Sequence, residues 1–406
     1  MNFFSLVAGK VIAESSGASS GGGAALNIAY GDTAPADKSK LWIKANEPQS
    51  IVFSKDFEGV ESINTVGNIP ISFSDVGCAR VGNKIYLFGG YNSSVFDCIY
   101  IFDIETKTTS LSATRIPTLL SSMGCVAVGK NIYLLGGYNS SGAQSSIYMF
   151  NTEDESITTL DTKLPEAGYY TSCIGVENNI YIFGGTRGST NRSNAIRIFD
   201  TETETITTLS EKIGISCSDM GCAKVGNNIY LFGGASGSSN HLTYIEKFDI
   251  KTQVRTRLSI TLPTAMASMG CTNIGNKIYL FGGSTSSGKL NTIYVFDTVT
   301  ETITELDKTL PIACRYIGCE KNGVDIYLFG GEGGSRLNTI NKFSLTHDLA
   351  ENNIEVITAY KNFFNVINSN SMKLEIGVDS VLIGNAENQA TNCEAYLHNG
   401  TDWQQI

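Results

Sequence analysis

The chain has 406 residues, of which 42% are hydrophobic and 17% charged, a composition typical of a globular protein with enough apolar material for a core. Asp and Glu outnumber Lys and Arg by 39 to 29, and the net charge is −10. Because no run of Lys or Arg offsets this charge, nucleic acid and anionic membranes are disfavoured as partners. No stretch reaches the roughly 18 apolar residues that span a bilayer, so we expect no membrane insertion.

Residues 1–25 are predicted to be a flexible tail or linker, because ESSGASSGGG at 14–23 is too rich in Gly and Ser to bury a core. The first residues lack the basic region of a secretion signal, and Lys10 interrupts their apolar run. We therefore expect folding in a reducing cytoplasm, with the ten cysteines as thiols. Residues 26–58 contain the apolar runs LWI and IVF and are predicted to be a short β-rich segment that docks to other proteins.

A six-residue phrase, IYLFGG or a close variant, recurs six times at intervals of 47, 48, 49, 49 and 48 residues. A period of this length predicts a repeat architecture. The phrase ends at Gly90, Gly137, Gly185, Gly234, Gly283 and Gly331.

One repeat, residues 268–311, divides into four short strands: SMGCTNI, KIYLFGG, TIYVFDT and TITELD. Gly275 and Asn276 make a two-residue turn between the first two, and the second strand is apolar enough to be buried on both faces. Four antiparallel strands per repeat describe a blade of a β-propeller. No helical period appears, so the predicted fold class is all-β, a propeller of six clear four-stranded blades within residues 59–360.

The two ends of the repeat region leave the number of blades open. VESINTVGNIP at 60–70 resembles the end of each later repeat and predicts an orphan outer strand near 60–66. IEVITAY at 354–360 is predicted to complete the sixth repeat. Residues 361–406 imitate a further repeat and form either a divergent seventh blade, closed by the orphan strand, or a small β-module after a six-bladed ring.

Six cysteines recur once per repeat, each 12 residues before the final Gly of its phrase. Such a repeated position is interpreted as a small buried hydrophobe; the alternatives are a ring of metal-binding thiols or a redox device. The six are Cys78, Cys125, Cys173, Cys222, Cys271 and Cys319.

The repeat unit resembles a kelch repeat over residues 71–360: an apolar strand ending in Gly-Gly, a polar loop, an aromatic-containing third strand and a fourth strand. The fourth strands lack the Trp usual in kelch repeats, since the chain has only Trp42 and Trp403. This departure weakens any transfer of function from well-known kelch proteins. The resemblance implies a propeller scaffold and, among possible activities, the interconversion of sialic acid anomers that some bacterial kelch proteins perform with Arg and Glu in a central pocket.

Loops in a propeller divide between two faces, and the face carrying the second-to-third strand loops is rich in Ser, Asn, Tyr and Arg. Four of only nine Arg fall there, and Arg and aromatic residues are enriched at recognition sites. The other face carries acidic turns, interpreted as a solvated rim in preference to a Ca²⁺ site. The candidate ligand-binding residues are Tyr91, Asn139, Tyr170, Arg187, Arg192, Asp219, His241, Lys289, Arg315, Tyr316 and Arg336.

Catalysis finds little support in the sequence, because His241, His347 and His398 lie in unrelated places and suggest no catalytic triad. A kelch copper oxidase would need a His and Tyr metal set, which so few His do not suggest. We therefore expect no enzyme activity, no catalytic residue, no metal and no cofactor.

YGDTAPADKSKLWIKANEP at 30–48 and the ending EAYLHNGTDWQQI are similar to modules of kelch-containing proteins from phages and prophages of Gram-positive bacteria. This resemblance implies a virion component of the tail or baseplate, assembled in the host cytoplasm, whose N-terminal segment docks to other tail proteins. The propeller would bind a host-surface glycan or protein. The alternatives are a carbohydrate-active enzyme such as a sialic acid mutarotase, and a structural spacer or decoration protein of a particle.

Overall fold

The structure is a computed structural model that describes residues 60–346, apart from 189 and 239, together with short strands in the flanking segments. The chain divides into two compact units, residues 62–344 and a second unit formed by 1–61 and 345–406. Before residue 60, strands β1 (Phe3–Leu6) and β2 (Val11–Glu14) pair antiparallel, and β3 (Ile28–Tyr30) pairs parallel with β4 (Leu41–Lys44). Among the described residues, no helix is long and apolar enough to cross a membrane.

Residues 60–346 form six four-stranded antiparallel sheets, as the repeat predicts. After β5 (Val60–Phe73), blade 1 contains β6 (Gly77–Val81), β7 (Lys84–Phe88), β10 (Cys98–Asp103) and β11 (Thr108–Arg115), with β8 (Tyr91–Asn92) and β9 (Ser94–Val95) in its loop. Blade 2 contains β12 (Gly124–Val128), β13 (Asn131–Leu135), β16 (Ser146–Asn151) and β17 (Ile157–Lys163), with β14 (Tyr138–Asn139) and β15 (Gly142–Ala143) in its loop. Blade 3 contains β18 (Ser172–Val176), β19 (Asn179–Phe183), β20 (Ala195–Asp200) and β21 (Thr205–Lys212).

Blade 4 contains β22 (Gly221–Val225), β23 (Asn228–Phe232), β24 (Leu242–Asp249) and β25 (Val254–Met266). Blade 5 contains β26 (Gly270–Ile274), β27 (Lys277–Phe281), β30 (Ile293–Asp297) and β31 (Thr302–Glu305), with β28 (Ser284–Thr285) and β29 (Gly288–Lys289) in its loop. Blade 6 contains β32 (Gly318–Asn322), β33 (Asp325–Phe329) and β34 (Leu337–Thr346), and its fourth strand is β5.

The second strand of every blade is buried because its apolar run packs against both neighbouring blades. Phe88 in blade 1 and Phe150 in blade 2 meet edge to face, with ring centroids 5.4 Å apart. The same contact joins Phe102 of blade 1 to Phe329 of blade 6 at 5.6 Å. Such aromatic pairs add about 0.5–1.5 kcal/mol each to the stabilisation from burial.

The orphan strand closes the sixth blade. The carbonyl of Phe73 accepts a hydrogen bond from the N–H of Gly331 at 2.9 Å, and Asn338 Nδ2 donates to the carbonyl of Ile69 at 3.3 Å. Phe73 and Ile69 are buried. The outer strand of blade 6 is therefore Val60–Phe73 and not the predicted 354–360, which lie outside the described residues.

Of the two alternatives for residues 361–406, the divergent seventh blade is excluded, because the strand that it required is already paired in blade 6. After the propeller, β35 (Lys373–Ile376) pairs with β36 (Val381–Gly384). Strands β37 (Glu394–His398) and β38 (Trp403–Gln405) join β3 and β4 in a separate four-stranded sheet. The sheet of β3, β4, β37 and β38 thus pairs strands from the two ends of the chain. The propeller itself has six blades.

The repeated cysteines pack where adjacent blades meet beside the central channel. A Cβ built on Gly124 would lie 2.5 Å from Cys173 Sγ, and one on Gly77 would lie 3.0 Å from Cys125 Cβ. The Gly that precedes each Cys in most repeats therefore makes room for the Cys of the next blade. Burial raises the pKa of the Cys173 thiol to about 12, as expected for a packed position. Among the described residues, no group of three or more His, Cys, Asp or Glu is arranged to hold a metal ion.

Candidate ligand-binding site

Six residues, one from each blade, form a closed ring of backbone hydrogen bonds around the central axis. Each N–H donates to the carbonyl of the equivalent residue in the preceding blade, over 2.8–3.3 Å, and the N–H of Asp75 returns to the carbonyl of Tyr316. All six residues have positive φ between 56° and 60°, a conformation that costs non-Gly residues energy and persists only where surrounding structure enforces it. The ring consists of Asp75, Ser122, Tyr170, Asp219, Ser268 and Tyr316.

The order Asp, Ser, Tyr occurs twice in this ring, so blades 1–3 and blades 4–6 repeat each other. Asp219 lies 144 residues after Asp75, and Tyr316 lies 146 residues after Tyr170. The hydroxyl of Ser74 donates to Asp75 at 2.6 Å, and that of Ser218 donates to Asp219 at 2.7 Å. The propeller thus has an internal pseudo-twofold relationship between two three-bladed halves.

The two tyrosines of the ring meet across the axis and divide the channel. Tyr170 and Tyr316 stack with centroids 5.2 Å apart and planes inclined by 9°, and Tyr170 Oη donates to Asp75 Oδ1 at 2.7 Å. Both rings line a cavity of about 290 Å³ that opens among the second-to-third strand loops. Both also line a chamber of about 230 Å³ whose walls carry the six repeated cysteines.

The cavity is lined by hydroxyl groups, small residues and a few charged side chains. Arg192, Arg315 and His241 contribute positive or titratable groups, and Asp219 lies at the base. A concave site with convergent polar groups is the usual form of a ligand site, and 290 Å³ is at the small end of the range. The side-chain hydroxyls come from Tyr169, Tyr170, Thr186, Ser218, Ser238, Ser268, Ser284, Thr285, Ser286 and Tyr316.

Burial changes the protonation of the acidic groups at the base of the cavity. Loss of solvent raises the pKa of Asp219 to about 7, and the charge of Asp75 raises it further against the lowering effect of the Ser218 hydrogen bond. Burial also raises the pKa of Asp75, opposed by its hydrogen bonds from Ser74 and Tyr170. Burial raises the pKa of Tyr316 to about 12, so both stacked tyrosines remain neutral donors at neutral pH.

Arg315 is held at the edge of the cavity by its neighbours in blade 6. Its guanidinium lies 4.8 Å from the centre of the Tyr316 ring, and its Nη2 lies 3.3 Å from Glu332 Oε1. Lys289 Nζ lies 3.0 Å from the same Glu332 oxygen. Burial would raise the pKa of Glu332, but the hydrogen bond from Lys289 and the charge of Arg315 outweigh it, and the pKa is lowered. Glu332 is therefore ionised and orients both cations.

The structure brings six of the predicted site residues together at the cavity: Tyr170, Arg192, Asp219, His241, Arg315 and Tyr316. The other five do not line it. The Arg336 guanidinium lies 4.7 Å from the centre of the Tyr91 ring. Arg187 Nη2 lies 3.5 Å from Glu166 Oε1. Lys289 forms an ion pair with Glu332 and donates a hydrogen bond to the carbonyl of Gly333. Asn139 is buried, and its Oδ1 accepts from Ser141 N–H at 2.8 Å and Gln144 Nε2 at 2.9 Å within its own loop.

Four of the predicted site residues, Arg192, His241, Lys289 and Arg336, occupy one equivalent loop position. Isolated β-bridges pair Arg192 with Thr186 and Arg336 with Glu332. The backbone of His241 pairs with that of Ala235, and the backbone of Lys289 pairs with that of Ser284. This equivalence was not recognised in the sequence because the loops differ in length. The prediction also missed Asp75 and Ser268, for which the doubled Asp-Ser-Tyr order was an available signal, and Ala235, which that order does not indicate.

The chain matches the family described as the KLHDC2/KLHL20/DRC7 Kelch-repeats domain twice, over residues 44–212 and again over 171–351. Together these ranges cover more than half of the chain; the first spans blades 1–3 and the second spans blades 3–6. The fold and this match define a kelch-type β-propeller. The chain belongs to the kelch-repeat family. No curated protein matches it.

Proposed function

We propose that this kelch propeller is a non-enzymatic binding module whose ligand occupies the cavity above the Tyr170–Tyr316 pair. The observation that carries the proposal is the convergence of Arg192, Arg315 and His241 with a rim of hydroxyl groups on one concave surface. Charged and hydroxyl groups presented on a rigid sheet scaffold recognise polar ligands with little ordering cost. Kelch membership supports a binding role in general and does not specify the ligand.

For the biological setting, we propose a phage tail or phage-tail-like particle. The support is the similarity of residues 30–48 and of the C-terminal ending to modules of such proteins. In this proposal the N-terminal segment docks to other tail or baseplate proteins, and the cavity face contacts a glycan or protein on the host surface.

The test is binding of the full chain to purified cell walls from candidate Gram-positive hosts, with Arg192→Ala and Arg315→Ala as site variants. Lys84→Ala is the matched control, because Lys84 is exposed and lies at the turn that leads into β7, on the opposite face. Wild type and control should bind, and the site variants should bind at least about tenfold more weakly. Absence of binding to every wall would overturn the proposal, and tight particle association with no effect of the variants would favour a structural spacer.

A second candidate is a carbohydrate mutarotase. One observation favours it: Asp219, with its pKa raised to about 7, lies in the cavity with Arg192 and Arg315, and a group titrating near neutrality suits proton transfer. Equilibration of sialic acid anomers should then be accelerated by the wild type and not by Arg315→Ala. A rate equal to the uncatalysed one for both proteins rejects this candidate.

A further inference from the structure

The cavity lies on one side of the central axis although the ring beneath it is pseudo-twofold symmetric. Its walls come from blades 3–6, and no residue of blades 1 or 2 lines it. The asymmetry must therefore arise above the ring, from residues that differ between the two halves of the propeller.

The difference lies in the residue that follows each Gly-Gly pair. Blades 1 and 2 have Tyr91 and Tyr138 at this position, and the equivalent residues of blades 4 and 5 are Ala235 and Ser284. The backbone pairing is the same in both halves, since Tyr91 bridges to Ser74 and Ala235 bridges to Ser218. The equivalent positions therefore differ in their side chains, and the tyrosine ring makes the difference in volume large.

This difference in side chain changes the surroundings of the arginine that the preceding blade contributes. Arg336 of blade 6 covers the Tyr91 ring at 4.7 Å. Its equivalent in the other half, Arg192 of blade 3, lines the cavity together with Ala235. A large ring is thus replaced by a methyl group beneath the same type of cation, and the space becomes part of the cavity.

We propose that Ala235 and Ser284 determine the specificity of this site, because the absence of two tyrosines at these positions opens a cavity sized for one small polar group. The ligand class is a hydroxyl-rich group such as a single sugar residue, either free or at the end of a glycan. Two features support this class: the cavity volume of about 290 Å³ and walls that present hydroxyl groups, two guanidinium groups and an imidazole. The inference rests on the proposed binding function and deepens it.

The test exchanges residues between the pseudo-symmetric halves. Ala235→Tyr and Ser284→Tyr introduce into blades 4 and 5 the tyrosine side chain that blades 1 and 2 carry at the equivalent positions. Tyr91→Ala is the matched control, since it makes the reverse exchange at a residue that does not line the cavity. Full-length proteins are compared by saturation-transfer NMR with glucose, galactose, N-acetylglucosamine, rhamnose and glucuronic acid as probes, and thermal unfolding confirms that each variant is folded.

At least one sugar should bind the wild type and the control. The same sugar should bind Ala235→Tyr and Ser284→Tyr at least about tenfold more weakly. Binding of none of the sugars to the wild type, or wild-type affinity in both tyrosine variants, overturns the inference. Because Ser284→Tyr probes a different blade from Ala235→Tyr, misfolding of one variant leaves the test intact.

The same variants in the cell-wall experiment separate this inference from the proposed function. Wall binding that survives both tyrosine substitutions but is lost in Arg192→Ala and Arg315→Ala shows that the cavity binds its ligand without the space left by Ala235 and Ser284, and only the inference fails. Loss of wall binding in the wild type itself is failure of the proposed function.

Discussion

Tyr170 and Tyr316 lie on opposite sides of the propeller axis and stack at 5.2 Å, with Tyr170 Oη donating to Asp75. This contact joins blades 1, 3 and 6, which are separated in sequence by up to 241 residues, the interval from Asp75 to Tyr316. It forms the floor of the candidate site and the roof of the cysteine-lined chamber. The stability of the ring and the shape of the site therefore depend on the same few side chains.

Replacing Tyr170 by Phe should destabilise the propeller while leaving the ring stack in place. Asp75 would lose its 2.7 Å hydrogen bond from the phenol, and the free energy of unfolding should fall by about 1–3 kcal/mol. Denaturant titration measures this change. Tyr138→Phe is the control, because Tyr138 is 41% exposed, and its effect should stay within about 0.5 kcal/mol. Equal stability of Tyr170→Phe and wild type would contradict the importance of this bond.

The pH dependence of stability should reveal the raised pKa of Asp219. In the folded protein this pKa is about 7, whereas an Asp in an unfolded chain has a pKa of about 3.9. The folded state holds the proton more tightly, so this stabilisation is complete below about pH 4 and is lost as the pH rises through 7. The raised pKa of Asp75 acts in the same direction.

Unfolding free energies of wild type and Asp219→Asn, measured from pH 4 to pH 8, isolate this contribution. Other aspartates act in the opposite direction; for example, a backbone hydrogen bond from Thr203 lowers the pKa of Asp200. The comparison with the variant removes those shared effects. The variant should lose less stability than wild type across this range, and the control Asp161→Asn, an exposed carboxylate in β17, should follow wild type. Parallel curves for wild type and Asp219→Asn would refute the assignment.

Gly124→Ala should strain the contact between blades 2 and 3. The added Cβ would lie 2.5 Å from Cys173 Sγ and 2.9 Å from Thr171 Oγ1, and overpacking of this kind costs about 1–3 kcal/mol. Combining it with Cys173→Ala should destabilise less than the sum of the single changes, because the clashing sulfur is gone. Gly334→Ala is the control, since nothing lies within 4 Å of its added Cβ. Additive effects in the double variant would show that the two residues do not compete for space.

The buried thiols of Cys217 and Cys314 should resist alkylation in the native protein. Burial raises the pKa values of both to about 12, and the thiolate is the reactive form. Iodoacetamide at pH 8 should therefore label these residues only after unfolding in urea, as read by peptide mass spectrometry. Native labelling at the rate of the unfolded chain would show that these sites are open to solvent.

Much of the propeller was predictable because its elements are encoded locally. The four strands predicted within residues 268–311 correspond to β26, β27, β30 and β31. The apolar run before each Gly-Gly pair marks a strand covered on both faces, and the sequence also predicts an outer strand near residues 60–66. It leaves open which blade that strand completes, because an outer strand pairs with whichever blade edge remains open. The number of blades, and hence that edge, is set by packing between blades.

Residue types at fixed short spacing are enough to indicate the kelch repeat, the six second strands and the face on which Arg, Tyr and Ser concentrate. Which of these side chains meet depends on how the six blades pack around the axis. Tyr170, Asp219 and Tyr316 are 49 and 97 residues apart in sequence, and the closed ring alone brings them to one axis. Ala235 and Ser284 become notable only beside Tyr91 and Tyr138, since a cavity is produced by side chains that are smaller than their symmetry equivalents.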